Sequence, residues 1–327
     1  MANAVAVDDW SAQGVRVGDV LGALAVLRDQ AAGGAARTAV MTLVAVAPDD
    51  DQAYRATNAL RALAGHHPAR IVILRPEPDE VAALDARATL YAMELDGHRI
   101  SFEEVVLAVR GQAARHLDSI VEAFTLSDLP VAVWYVDAIP EAGDPLVPVA
   151  TAVLLDSRDA ADDLRMRALL DLMGDKTVVD LSWIRLGPWR ELLSALFDPP
   201  ANRPWLTRVE AAQITGKVGP RRLLGGWISH RLALDPSRLE LTDARHVEIR
   251  LRATDEARRE AAVFSVERAD GARAVAATAS GPGVTPLRLG IALAAEPLPT
   301  ALSTALTHLR HDPTWEEALA AGSRLPS

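Results

Sequence analysis

Trp183, Trp189, Arg185, Arg190 and Ser182 crowd one short stretch, Asp180-Leu181-Ser182-Trp183-Ile184-Arg185-Leu186-Gly187-Pro188-Trp189-Arg190. Residues 178–181 read as a short buried strand, Gly187-Pro188 as the break, and residues 188–197 as a helix with proline in its first turn. The indoles therefore flank a strand-to-helix corner. In α/β sheets such corners lie at the carboxyl ends of the strands, where ligands and partners dock. Indole and guanidinium dominate interface hot spots, so Trp183, Arg185, Trp189 and Arg190, with Trp134 on an earlier apolar run, are candidates for contact with a protein partner. The competing reading is that both indoles of the corner cap the core, since aromatics bury large areas wherever they sit.

Other constellations point to weaker chemistry. His66-His67-Pro68-Ala69-Arg70 falls between a helix and a strand, where His67 and Arg70 could meet a phosphate; a histidine closing a helix serves the dipole equally well. Asp156-Ser157-Arg158 follows a buried strand and precedes a helix, so these residues could complete a phosphate pocket at the sheet edge or simply cap the helix. His308 and His311, with Asp312, have a metal-like spacing but lack a third ligand, and no metal is expected. Gly216-Lys217 is followed by Val218, and Ala211 stands where a phosphate loop needs glycine. Gly33-Gly34 precedes a strand instead of following one, which is the wrong side for a pyrophosphate. With no G-x-S-x-G or H-E-x-x-H either, the sequence offers no catalytic residue set and calls for no cofactor.

The elements that position these residues alternate between strand and helix over the first 200 residues, which predicts an α/β domain with a parallel or mixed sheet. Strands are expected at 38–47, 70–74, 88–95, 130–136 and 152–155, with those at 88–95 and 130–136 flanking the one at 70–74. Helices are expected from the Pro48-Asp49-Asp50-Asp51 start to Gly65, with Tyr54, Leu60 and Leu63 on the buried face, over 102–124, and near 164–172. Three prolines in Asp198-Pro199-Pro200-Ala201-Asn202-Arg203-Pro204 mark a boundary. Residues 201–327 then read as a smaller α+β domain: helices near 206–214 and 221–232, and an antiparallel sheet of strands at 245–251, 262–268 and 272–279, with Asp270-Gly271 as a hairpin turn.

Composition narrows the function classes. The chain has 327 residues and is half apolar; 34 basic residues face 44 acidic ones, for a net charge of −10. That balance argues against nucleic-acid or membrane-surface partners. The charge is uneven: residues 1–200 hold 17 basic and 30 acidic residues, residues 201–327 hold 17 and 14. Only Lys176 and Lys217 are lysines, so arginine alone is a weak sign of bidentate recognition in this arginine-rich, alanine-rich chain. There is no cysteine, which removes disulfides, thiolate metal sites and thiol nucleophiles. Residues 1–14 carry Asp8 and Asp9 and no apolar core, so no secretory signal is expected and the cytoplasm is the expected location.

Six segments, in order and spacing, resemble the glucose-6-phosphate dehydrogenase assembly protein family, OpcA. They are Met41-Thr42-Leu43-Val44-Ala45; Asn58-Ala59-Leu60-Arg61 with His66-His67-Pro68-Ala69-Arg70; Ser127-Asp128-Leu129-Pro130-Val131-Ala132-Val133-Trp134; Asp156-Ser157-Arg158; Asp180-Leu181-Ser182-Trp183 with Pro188-Trp189-Arg190-Glu191-Leu192-Leu193; and Gly225-Gly226-Trp227. Ala69, Tyr135 and Ile184 depart from the family pattern. The resemblance implies a non-catalytic assembly factor or allosteric activator whose partner is glucose-6-phosphate dehydrogenase, serving the oxidative pentose phosphate pathway and NADPH production. The alternatives are a sugar-phosphate-binding enzyme or a metabolite sensor built on His67, Arg70, Asp156, Ser157 and Arg158.

Overall fold

The computed structural model describes residues 4–30, 36–37, 39–95, 98–126, 128–159, 163–172, 176–255, 257, 259–268, 273–295 and 297–326. The chain forms two compact units. One comprises Met1–Leu155, Asp175–Val179 and Leu302–Arg310; the other comprises Asp156–Gly174, Asp180–Ala301 and His311–Ser327.

The first unit opens with β1 (Val5–Ala12), α1 (Val17–Gln30), β2 (Ala36–Arg37), β3 (Met41–Val46), α2 (Asp50–Leu63), β4 (Ala69–Glu77), β5 (Leu84–Leu95) and β6 (His98–Arg110). It continues through α3 (Leu117–Phe124), β7 (Val131–Tyr135), α4 (Leu146–Val149) and β8 (Ala152–Leu155), and its sheet ends on β9 (Thr177–Asp180), which follows α5 (Asp163–Leu172). The strand order is β1-β5-β6-β4-β3-β7-β8-β9, with β2 on β6. Pairs β3·β4, β3·β7, β4·β6 and β7·β8 are parallel; β5·β6 and β1·β5 are antiparallel. The sheet is thus mixed, within the expected α/β class. Strands β3, β7 and β8 are buried at every residue, which is why they read as unbroken apolar runs.

Several expectations give way to tertiary context. Strand β4 pairs with β3 and β6, while 130–136 joins β3 instead of β4. Helix α2 begins at a capping box formed by Asp49 and Gln52, yet Tyr54 is 70% exposed; Ala53, Ala56, Ala59, Leu60 and Leu63 make the buried stripe. The start of the first predicted strand, at residue 38, lies outside the described residues.

The helix expected over 102–124 is instead β6, a 3-10 turn at Gly111–Arg115, and α3. Phe102, Val105, Val106 and Val109 recur at helical spacing, and the adjacent Glu103 and Glu104 break any strand alternation. Both glutamates are buried. Adjacent strand residues point to opposite faces. On one face Glu103 receives Arg28 of α1 at 2.5 Å and Arg70 at 2.9 Å; on the other Glu104 receives Arg61 of α2 at 2.6 and 2.8 Å. Burial alone would raise the pKa of Glu103, but Arg28 and Arg70 hold it below the usual carboxylate value. Buried pairs of this kind allow glutamate in a central strand.

The second unit's sheet is built from β10 (Val209–Gly216), β11 (Leu239–Asp243), β12 (Glu248–Asp255), β13 (Glu260–Arg268), β14 (Ala274–Ser280) and β15 (Leu287–Ala292), in the order β11-β10-β12-β13-β14-β15. Only β10·β11 is parallel. Ile249, Leu251 and Ala253 on β12, and Phe264 and Val266 on β13, alternate with exposed or half-buried neighbours, giving one buried face. The helix expected at 206–214 is a 3-10 turn, Arg203–Arg208, running into β10, because two strand partners claim the segment. The expected Asp270-Gly271 turn lies outside the described residues, although β13 and β14 pair antiparallel.

The helices of this part are α6 (Leu181–Arg185), α7 (Gly187–Ala195), α8 (Val218–Leu232), α9 (Pro297–Thr307), whose first residues belong to this unit, and α10 (Pro313–Gly322). Where a strand tail was expected to reach 181, Asp180 instead starts α6. Helices α8 and α10 approach so closely at Gly226 that a Cβ there would lie 2.0 Å from the Ala318 carbonyl oxygen. Beside this contact the buried Arg222 donates to the carbonyls of Gly322 and Leu325, both at 2.9 Å.

Candidate functional site

The corner singled out in the sequence is organised by a residue outside the candidate set, Asp180. Its carboxyl caps α6 by accepting the Ser182 amide at 2.9 Å, and it also accepts the Ser157 amide at 3.1 Å, the Ser157 hydroxyl at 2.6 Å and the Trp315 indole N–H at 3.3 Å. It is fully buried, and burial, with the Asp156 charge as second cause, pushes its pKa up to about 6 against the pull of the Ser157 and Ser182 donors. Asp156 is held by Arg185 at 2.5 Å and accepts the Arg158 amide at 3.0 Å, the helix-start role. Ser157 is wholly buried.

The indoles offered as candidate partner contacts are interior. Trp183 is 3% exposed, Trp189 9% and Trp134, on β7, 2%. Trp183 donates to Asp312 at 2.9 Å and Trp189 to the Val247 carbonyl at 3.1 Å. The Arg190 guanidinium lies 3.5 Å above the Trp183 ring and donates to the Trp183 carbonyl. Burial lowers the Arg190 pKa to about 10, opposed by the Asp312 charge. The core-capping reading of the indoles is the one this geometry fits, and Arg185 and Arg190 are engaged within the chain. Trp189→Ala is accordingly expected to cost about 3 kcal/mol of stability. Denaturant midpoints of the isolated protein check this; an unchanged midpoint would return Trp189 to the list of surface anchors.

The five residues of the expected phosphate pocket divide between the two units, His67 and Arg70 in one and Asp156, Ser157 and Arg158 in the other. The His67 ring nitrogen Nε2 lies 3.1 Å from the Ser303 hydroxyl, and burial, then the neighbouring His66, lowers its pKa. Arg70 is taken by Glu103 and by the Phe124 carbonyl at 3.0 Å. At the carboxyl edge of the first sheet, where a nucleotide phosphate would sit on a helix N-terminus, α2 starts with Asp49, Asp50 and Asp51. Those charges oppose an anion at that helix end. Beside them Arg75 pairs with Asp50 and Glu77, and Arg110 with Glu77 and Asp85. His311 contacts Glu316 at 2.7 Å, and among the described residues no group of three His, Cys, Asp or Glu side chains could hold a metal. No helix among the described residues is long and apolar enough to cross a membrane.

Sequence reasoning also missed a cavity beside Trp227 in the second unit. Its walls come from four separated segments between residues 193 and 251, and no contiguous motif marks it.

Residues 60–171 match a family model described as the glucose-6-phosphate dehydrogenase subunit N-terminal domain, and residues 176–319 match one described as the C-terminal domain of the same subunit. Two curated relatives, each named "Putative OxPP cycle protein OpcA", come from Synechocystis sp. (strain ATCC 27184 / PCC 6803 / Kazusa) and Synechococcus elongatus (strain ATCC 33912 / PCC 7942 / FACHB-805). The first is 27% identical over 187 residues and the second 29% over 186. Both matches cover 53% of this chain, but 39% and 42% of the relatives, so the matched region spans about two-fifths of their length. Among solved structures, a "putative myo-inositol dehydrogenase from Sinorhizobium meliloti 1021" aligns with 87% of this chain and 96% of its own; at 11% identity and a TM-score of 0.39 that likeness fixes neither fold nor chemistry. The two consecutive domain matches place this chain in the OpcA family, which is tied to glucose-6-phosphate dehydrogenase assembly and the oxidative pentose phosphate cycle.

Proposed function

We propose that this chain is a non-catalytic subunit that binds glucose-6-phosphate dehydrogenase and raises its activity. The observation that carries the reading is the pair of consecutive matches to the two domains of a glucose-6-phosphate dehydrogenase subunit, over residues 60–171 and 176–319. The geometry supports it: Arg70, His67, Asp156, Ser157 and Asp180, the side chains best placed for chemistry, are each engaged by a partner within the chain. On this reading Trp183, Trp189, Arg190 and Trp134 shape the scaffold behind the docking surface.

The experiment is a titration of the purified chain into its cognate dehydrogenase while NADP reduction is followed. The expected result is no turnover by the chain alone and a saturable rise in the dehydrogenase's rate. NADP reduction by the isolated chain, or unchanged partner kinetics at saturation, would overturn the proposal.

Reductant supplies a second check. With no cysteine, this chain can neither form nor break a disulfide. Dithiothreitol should leave its own unfolding midpoint and its affinity for the partner unchanged, and any thiol response should vanish when the dehydrogenase is made cysteine-free. A response persisting in that cysteine-free pair would contradict the prediction.

A further inference from the structure

The second unit carries a half-open cavity of about 460 Å3 between α7, the 3-10 turn Arg203–Arg208, α8 and β12. That volume is within the range of about 300–1,000 Å3 typical of small-molecule pockets. Leu193, Phe197, Ile228 and Leu251 form its buried walls, Trp227 stands half-buried, and Ser194, Thr207 and Arg231 are exposed. We infer that this cavity binds a small amphipathic carboxylate, an acyl or aryl acid, with its apolar body among Leu193, Phe197 and Trp227 and its carboxylate on Arg231.

Three observations define that ligand class. Among the described residues Arg231 is the one charged residue lining the cavity, so the charge complement is a single anion. The Ser194 hydroxyl already donates to the Arg190 carbonyl and the Thr207 hydroxyl to the Pro204 carbonyl, leaving oxygen acceptors over apolar walls. A sugar phosphate would find too few polar partners there for its hydroxyls, whose desolvation is costly. Finally, the Arg231 guanidinium already binds a carboxylate, that of Glu317, at 3.0 Å. Both side chains of that pair are roughly half exposed, with relative accessibilities of 48% and 40%, so the pair is weak and readily exchanged for an incoming acid.

The test uses the full chain, with decanoate below its micellar concentration and decan-1-ol as probes, read by titration calorimetry. Decanoate is expected to bind saturably at one site. Arg231→Gln should weaken decanoate by about ten-fold while changing decanol by less than about two-fold. Glu317→Gln, which frees the guanidinium, should tighten decanoate. Ser194→Trp, an exposed position beside the cavity, should block both probes; if that variant unfolds, the Arg231 and Glu317 pair of results decides alone. No saturable decanoate binding, equal losses for acid and alcohol on Arg231→Gln, or binding that survives in folded Ser194→Trp would each overturn the inference. Should Ser194→Trp keep decanoate affinity and abolish stimulation of the dehydrogenase, the cavity belongs to the protein partner and the small-acid assignment fails.

Discussion

Gly226→Val is expected to prevent the second unit from packing. The first side-chain atom would lie 2.0 Å from the Ala318 carbonyl oxygen and 2.4 Å from the Gly322 nitrogen, both backbone atoms of α10. No rotamer relieves a clash between a Cβ and a main chain, so α8 and α10 must separate. Separation also strips the buried Arg222 of its Gly322 and Leu325 carbonyl partners. A cost above about 4 kcal/mol is expected, in the range reserved for core disruption. Soluble yield and the urea midpoint read it out. Gly22→Ala in α1, where nothing lies within 4 Å of the added carbon, is the control and should stabilise by up to about 1 kcal/mol. A wild-type midpoint for Gly226→Val would mean that the two helices are not in this contact.

Asp180→Ala is expected to cost roughly 3–5 kcal/mol, because four donors, from Ser157, Ser182 and Trp315, lose their acceptor inside the protein. Its pH dependence has a definite sign. The folded pKa of about 6 lies above the reference value of 3.8, so the folded chain holds this proton more tightly than the unfolded one. The resulting contribution is fully present below about pH 3.8 and is lost as pH rises towards 6, a total of about 3 kcal/mol. Asp180→Asn removes the titration and keeps an oxygen for the Ser157 and Ser182 amides. The stability of wild type relative to this variant should therefore fall between pH 4 and 6.5 and level off above; a difference that rises over that window would show that the donors outweigh burial.

The sequence was most readable where burial is symmetric. Residues 152–155 and the strand at β3 are apolar on both faces, so composition alone identifies them, and the Asp49 start of α2 follows from local capping chemistry. It failed where a partner element decides. The 102–109 pattern fits a helix as well as a strand, and only Arg28, Arg61 and Arg70, distant in sequence, make strand burial of Glu103 and Glu104 possible. The corner at 180–190 was visible as a cluster, but its direction was not: whether an indole faces water depends on Val247 and Asp312, which periodicity does not bring near. Asp180 reads as part of a strand at 178–181, and its role in the corner depends on donors from Ser157 and Trp315, which lie far from it in sequence.

The interleaving of the two units constrains how the protein is made. Residues 302–310 belong to the first unit, where Ser303 meets His67, although that unit's other strands and helices lie mostly before residue 155. A ribosome adding about 5–20 residues per second must therefore run past residue 310 before every segment of the first unit has been made. A chain cut short anywhere ahead of residue 302 would leave both units incomplete, so truncated products should be cleared by proteolysis instead of accumulating as a stable half.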